Sequence, residues 1–161
     1  MNKSALRTAI LQQLRAELGR QASAAENSRD EAISEESRAE SKWDTHSQEA
    51  AYLAQGQSRI VHEIGESIAL YGTLPLPDFA PGDVIAVGAL VELEAARGGK
   101  HAWYFLGPRS GGLELSIDGR DVLVLTPQSP LGRQLLGRRA GDTLAAPGRS
   151  AAAAQRIVSV R

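Results

Sequence analysis

"YGTLPLPDFAPGD", residues 71–83, decides how the chain divides. Three prolines and two glycines lie within it, so a helix arriving from the amino-terminal side ends there and a short linker follows. The hydrophobic period differs on its two sides, and that change fixes the fold class.

Upstream, residues 1–72 contain no proline, and apolar residues recur at helical spacing: Leu6, Ile10, Leu14 and Leu18, then Leu53, Ile60, Ile64 and Ile68. Each stripe is one narrow seam and needs an equally narrow partner, which suits two helices folded back on each other as an antiparallel hairpin or coiled coil. Arms of about 28 residues at about 1.5 Å rise predict a rod on the order of 40 Å long, turning near residue 38. Downstream the period becomes two. Val87, Ala89, Val91 and Leu93 alternate with Gly88, Leu90, Glu92 and Glu94, as in a strand with one buried face. "RGGK" at 97–100 reads as a hairpin turn into "HAWYFL", two strands flank Asp118-Gly119, and "AQRIVSV" closes the chain as a last strand. The reading is an α+β chain: helical hairpin over residues 1–74, linker over 75–82, and a small antiparallel β domain with one short helix over 83–161.

Composition narrows the function classes. The absence of cysteine excludes disulfides and thiolate metal sites and fits a reducing cytoplasm. "MNKSALRTAILQQLRAEL" breaks its apolar residues with charge, so neither a signal core nor a membrane span is expected. A net charge of −1 gives no sign of nucleic-acid binding. A soluble, cytoplasmic protein without a cofactor is the expectation, with the oligomeric state left open and a monomer favoured. His46, His62 and His101 are too scattered for a metal site, and Trp103, Tyr104 and Phe105 read as core and rim packing rather than a base-stacking platform.

The acids are not evenly placed. Between Glu26 and Glu49 eight acids stand against three bases, a local charge of −5 centred on "SEESRAESKWDTH", residues 34–46. Ser37 to Glu40 and Ser41 to Asp44 match the capping box, which accounts for Glu40 and Asp44 as helix-start residues. Glu35 and Glu36 would fall in the last turn of the first helix, where the macrodipole disfavours them. A local rule broken without compensation is a place to look for function, and Trp43 at a tip has little core to join.

The densest signal is "SPLGRQLLGRRAGD", residues 129–142. Ser129 is a good N-cap, Pro130 suits the first helical position and Gly137 the position past the end, predicting a helix near 130–136 with Leu131, Leu135 and Leu136 pinning it to the sheet. Arg138, Arg139 and Gly141 would form an exposed turn. With the final "IVSV" strand, this segment resembles the carboxy-terminal domain of the Gre family of bacterial transcription elongation factors (GreA and GreB). "YLAQGQSRI", residues 52–60, is similar to that family's returning helix. The resemblance implies an FKBP-like β domain behind a coiled-coil hairpin, and RNA polymerase as partner. It implies that Ser129, Pro130, Leu131 and Arg133 dock at the rim of the secondary channel. It also implies that the tip residues Glu35, Glu36, Glu40, Trp43 and Asp44 come near the catalytic centre, where Glu40 and Asp44 could share the polymerase magnesium.

The tip departs from the family at one point. Aligning Lys42 with the family's tip lysine puts Glu40 on the first acidic position, but Trp43 stands where the second acid belongs and Asp44 comes one residue late. The resemblance therefore implies a channel-binding modulator of elongation, and leaves stimulation of transcript cleavage open. A coiled-coil interaction module that no longer engages polymerase is the alternative. An FKBP-like fold alone does not imply prolyl isomerase activity.

Overall fold

The computed structural model describes residues 2–33, 46–95, 99, 101–144 and 154–161, and the statements below concern these residues. The acidic stretch from Ser34 to Thr45 lies outside them.

Element order follows the expected α+β plan. Two long helices, α1 (Lys3–Ile33) and α2 (His46–Thr73), come first. Strands β1 (Leu90–Ala95), β2 (His101–Leu106), β3 (Glu114–Ile117) and β4 (Arg120–Leu125) follow, then the short helix α3 (Pro130–Leu135) and strands β5 (Thr143–Leu144) and β6 (Gln155–Val160). Two compact units result, one formed by Met1–Ile10 with Leu70–Arg161 and the other by Leu11–Ala69.

In the Leu11–Ala69 unit Leu14 is buried, as the first stripe predicts. Ile60 departs from the second stripe, since it is exposed together with Tyr52. The exposed surfaces carry helical-spacing pairs, Glu17 with Arg20, Arg59 with Glu63 at 3.5 Å and His62 with Glu66 at 3.6 Å.

The other unit is built on a six-stranded sheet in the order β3-β4-β2-β1-β6-β5. The β1–β2 hairpin is antiparallel, with Leu90 opposite Phe105 and Glu94 opposite His101. The β3–β4 hairpin turns through Asp118 (φ 53°) and Gly119 (φ 72°), the paired left-handed residues a tight hairpin needs. One pairing in this mostly antiparallel sheet is parallel: β2 runs beside β4, Trp103 next to Val122 and Leu106 next to Leu125. A parallel neighbour requires a crossover, and here the crossover is residues 107–119, a loop plus β3 itself. The loop is made possible by Gly107 and by left-handed backbone at Ser110 and Gly112. A Cβ on Gly107 would stand 2.0 Å from the Tyr71 hydroxyl, so only glycine fits.

Both faces of the sheet are covered. On one face Ala89, Val91, Leu93, Leu106, Leu125 and Ile157 form a core with Ile85, Leu135 and Leu144, and Leu131 and Tyr104 pack at its margin. Strand alternation turns Leu90, Phe105, Val122 and Val124 to the other face, and all four are buried. Tyr71, from the last turn of α2, lies there against Val124 and donates its hydroxyl hydrogen to the Arg109 carbonyl at 2.7 Å. This second cover explains why β1 is buried on both faces at Leu90, where alternation alone predicts one. The strand also starts at Leu90 rather than Val87, because Ala89 N–H bonds Ala86 in a turn through Gly88 (φ 94°).

The first turns of α1 belong to this unit. Asn2 caps the helix, accepting from the Ser4 amide at 2.8 Å, and Leu6 and Ile10 are buried. Lys3 donates to the Pro77 carbonyl and its ammonium sits 5.0 Å from the centre of the Phe79 ring. Burial lowers the Lys3 pKa, with the Asp78 carboxylate opposing that shift. Arg7 Nη1 reaches the Leu74 carbonyl at 3.3 Å. The linker itself is ordered by a turn over Ala80–Asp83, with Pro81 and Gly82 (φ 94°) at its centre and Asp83 accepting from the Ala80 amide at 2.8 Å.

Candidate functional site

Helix α3 is fixed by its caps. Ser129 (φ −66°, ψ 152°) stands outside the helix, accepts from the Gly132 amide at 3.0 Å and donates its hydroxyl hydrogen to the Thr126 carbonyl at 2.8 Å. Pro130 enters at the first helical position, where no amide hydrogen is needed. Gly132 is buried, and a Cβ there would come within 1.9 Å of the Thr126 carbonyl oxygen, so the helix can approach the preceding loop only with glycine at this point. At the other end Leu136 is the C-cap, its amide bonded to Gly132, and Gly137 follows at φ 77°. The helix ends within one residue of where the sequence predicts.

The turn beyond is tied to its neighbours through backbone. Gly137 donates to Ile85 at 2.9 Å, Ile85 donates to Arg138 at 2.7 Å, and Gly141 donates to Ile157 at 2.8 Å. Asp142 accepts from the Arg139 amide at 3.0 Å. Among residues expected to dock a partner, Pro130 and Arg133 are exposed, whereas the Ser129 hydroxyl is engaged within the cap and Leu131 packs at the margin of the core. Arg138 and Arg139 are exposed, as expected of a turn.

Leu136 is a correction. It does not pin α3 to the sheet; Leu135 is buried while Leu136 is 47% exposed. Leu131 and Leu135 are four residues apart and share the buried side, so their successor at Leu136 turns away. That spacing was visible in the sequence, as was Gly132, whose place inside a six-residue helix marks a close backbone approach.

The tip residues Glu35, Glu36, Glu40, Trp43 and Asp44 fall outside the described residues. Among the described residues no group of three or more His, Cys, Asp or Glu is placed to hold a metal ion. Among them, too, no helix is long and apolar enough to cross a membrane. Trp103 and Phe105 are buried in the sheet, in keeping with a packing role. The Trp103 ring lies under the guanidinium groups of Arg120 (5.0 Å) and Arg161 (5.4 Å). Beside it His101 Nδ1 is 2.8 Å from one Glu92 oxygen, and Ser159 donates to the other at 2.9 Å.

Among solved structures the chain is similar to bacterial transcription factors of the Gre type. One is the GreA factor homolog 1 (Gfh1) protein of Thermus thermophilus, at 22% identity over 94% of each chain and a TM-score of 0.37. Another is Thermus aquaticus Gfh1, at 21% identity over 95% of this chain and 94% of that one, also with a TM-score of 0.37. The prokaryotic transcription elongation factor GreA/GreB of Nitrosomonas europaea is 19% identical over 70% of this chain and 91% of its own, with a TM-score of 0.36. No family model and no curated protein matches the chain.

Proposed function

We propose that the chain is a Gre-like regulator that binds RNA polymerase at the secondary channel and modulates transcription elongation in the bacterial cytoplasm. The observation that carries this reading is the segment 129–142. The residues that resemble the family's docking segment form a capped helix and a braced turn that expose Pro130, Arg133, Arg138 and Arg139 on one short stretch. Ser129 and Leu131 serve that surface by holding it in place. The chain acts on its partner's catalytic centre and has none of its own. Glu40 and Asp44 are the hard oxygen donors it would bring to the polymerase magnesium, with Glu35, Glu36 and Trp43 near them in the sequence.

The test is capture of core RNA polymerase by the purified chain, competed with an authentic Gre factor. Competed capture supports the reading, and no capture overturns it. Replacing both Glu40 and Asp44 with alanine should then remove any effect on stalled complexes while leaving capture intact. Restoring the second acid with Trp43→Glu should raise transcript cleavage if a missing ligand is all that separates this tip from the family's. The exposed pair Tyr52 and Ile60, two turns apart on α2 with Gly56 between them, favours a second reading: an interaction module that pairs with another helix. Self-association in solution without polymerase capture is the outcome that reading requires.

A further inference from the structure

We infer that Leu136, with the exposed Arg133, Arg138 and Arg139 beside it in the sequence, is the apolar anchor of the docking face, and that the partner surface it meets is an apolar socket lined by carboxylates. The inference rests on the docking reading above and names the chemistry of the surface that α3 and its turn would meet.

Three observations carry it. The first is exposure: Leu136 is 47% exposed and Val84 is 44% exposed. They lie on segments joined by backbone hydrogen bonds, since Ile85, next to Val84, bonds both Gly137 and Arg138. Both are large apolar side chains left partly in water on adjoining segments. The second is rigidity. Leu136 leaves the helix at φ −56°, ψ 127° with its amide held by Gly132, and the next two residues are held by Ile85. An anchor fixed in this way loses little conformational freedom on binding.

The third observation is charge. Arg133, Arg138 and Arg139 are exposed, and none takes part in the ion pairs found among the described residues. The nearby carboxylates are already used in turns: Asp142 accepts from the Arg139 amide and Asp83 from the Ala80 amide. The guanidinium groups thus remain available to a partner, and arginine is enriched in interfaces and their hot spots. Charge complementarity then requires carboxylates opposite. Nucleic-acid phosphate would satisfy the arginines but offers no socket for leucine, which cannot stack on bases as an aromatic ring would.

The experiment uses the full chain and core RNA polymerase, with affinity measured at two salt concentrations. Leu136→Asp should weaken binding by about 30-fold or more, as loss of a hot-spot anchor does. Leu136→Met should bind within about threefold of the unaltered chain, because it keeps an apolar side chain of similar volume. Arg138→Glu with Arg139→Glu should weaken binding and flatten its salt dependence. Circular dichroism melts establish that each variant folds. If the unaltered chain binds polymerase and Leu136→Asp binds equally well, the anchor assignment is overturned while the docking reading stands. A salt dependence unchanged by the charge reversal overturns the acidic socket. Polymerase binding abolished by competing RNA, with RNA alone retained by the same arginines, assigns the surface to nucleic acid and overturns the inference. An unaltered chain that does not bind polymerase overturns both readings together.

Discussion

The two faces of the sheet are closed by different devices. One is covered by α3, a helix of six residues that buries Leu135 and is held close by a serine cap, a buried glycine against a carbonyl, and a left-handed glycine at its end. The other buries Tyr71, a large side chain that fills the space left by Gly107 and donates a hydrogen bond, in a unit that also buries Leu6 and Ile10 of α1. A cover held that close fails when a small group is added. A face filled by a large side chain fails when that side chain is removed.

The largest effect should therefore come from Tyr71→Ala. The side chain is fully buried, and its loss opens a cavity beside Val124 and Gly107. The expected cost is about 4 kcal/mol in urea unfolding of the full chain. A cost near 1 kcal/mol would mean that this face closes without Tyr71. On the opposite face the smallest possible addition, Gly132→Ala, should cost about 3 kcal/mol, since the new methyl meets a backbone oxygen that cannot swing aside. Gly137→Ala separates crowding from backbone strain: nothing lies within 4 Å of its Cβ position, but φ is 77°. It should cost only about 1 to 2 kcal/mol. Equal losses at Gly132 and Gly137 would refute the crowding account.

The two covers also differ in how far the sequence reveals them. The α3 cover is local. Ser129, Pro130 and Gly137 each obey a positional rule that spans a few residues, so the helix and its ends can be read directly. The Tyr71 cover joins α2 to β4 and to the loop after β2, and no local pattern links Tyr71 with Val124 or Arg109. For the same reason β1 reads as a strand with one buried face, and the parallel pairing of β2 with β4 goes unread: which strands become neighbours depends on contacts distant in sequence. The candidate docking surface is legible in its location, and the four-residue spacing of Leu131 and Leu135 carries its orientation as well. The segment is singled out by its residues, and the side of α3 facing outward follows from the Leu131–Leu135 pair, which places Leu136 in solvent and Leu131 against the core.

A gentler change at Tyr71 sharpens the contrast through pH. Burial raises the Tyr71 pKa above its ordinary value near 10, so the folded chain keeps a proton that the unfolded chain releases. The unfolded state then binds fewer protons, and stability falls as pH climbs above about 10, having been fully present below it. Tyr71→Phe keeps most of the packing and loses the hydrogen bond to Arg109, an expected cost of about 1 kcal/mol at neutral pH. Between about pH 9 and 11 the stability gap between the unaltered chain and this variant should narrow. Urea midpoints that fall in parallel across that window would show Tyr71 titrating as if in water.

The smallest effect is expected at the exposed end of α3. Leu136→Asp replaces an apolar group that touches water already, and the residue's part in the fold is its backbone amide, which any non-proline residue supplies. Surface changes away from caps and cores shift stability by about 0.5 kcal/mol or less. The urea midpoint should stay within that margin, because loss of apolar surface offsets any small loss of local packing. If the midpoint instead falls by about 2 kcal/mol, Leu136 is part of the cover on this face, and its exposure is not available to a partner. An unchanged midpoint separates the two roles of the segment: Ser129, Gly132 and Leu135 build the cover, while Leu136 and the arginines beside it in the sequence face outward at no cost to the fold.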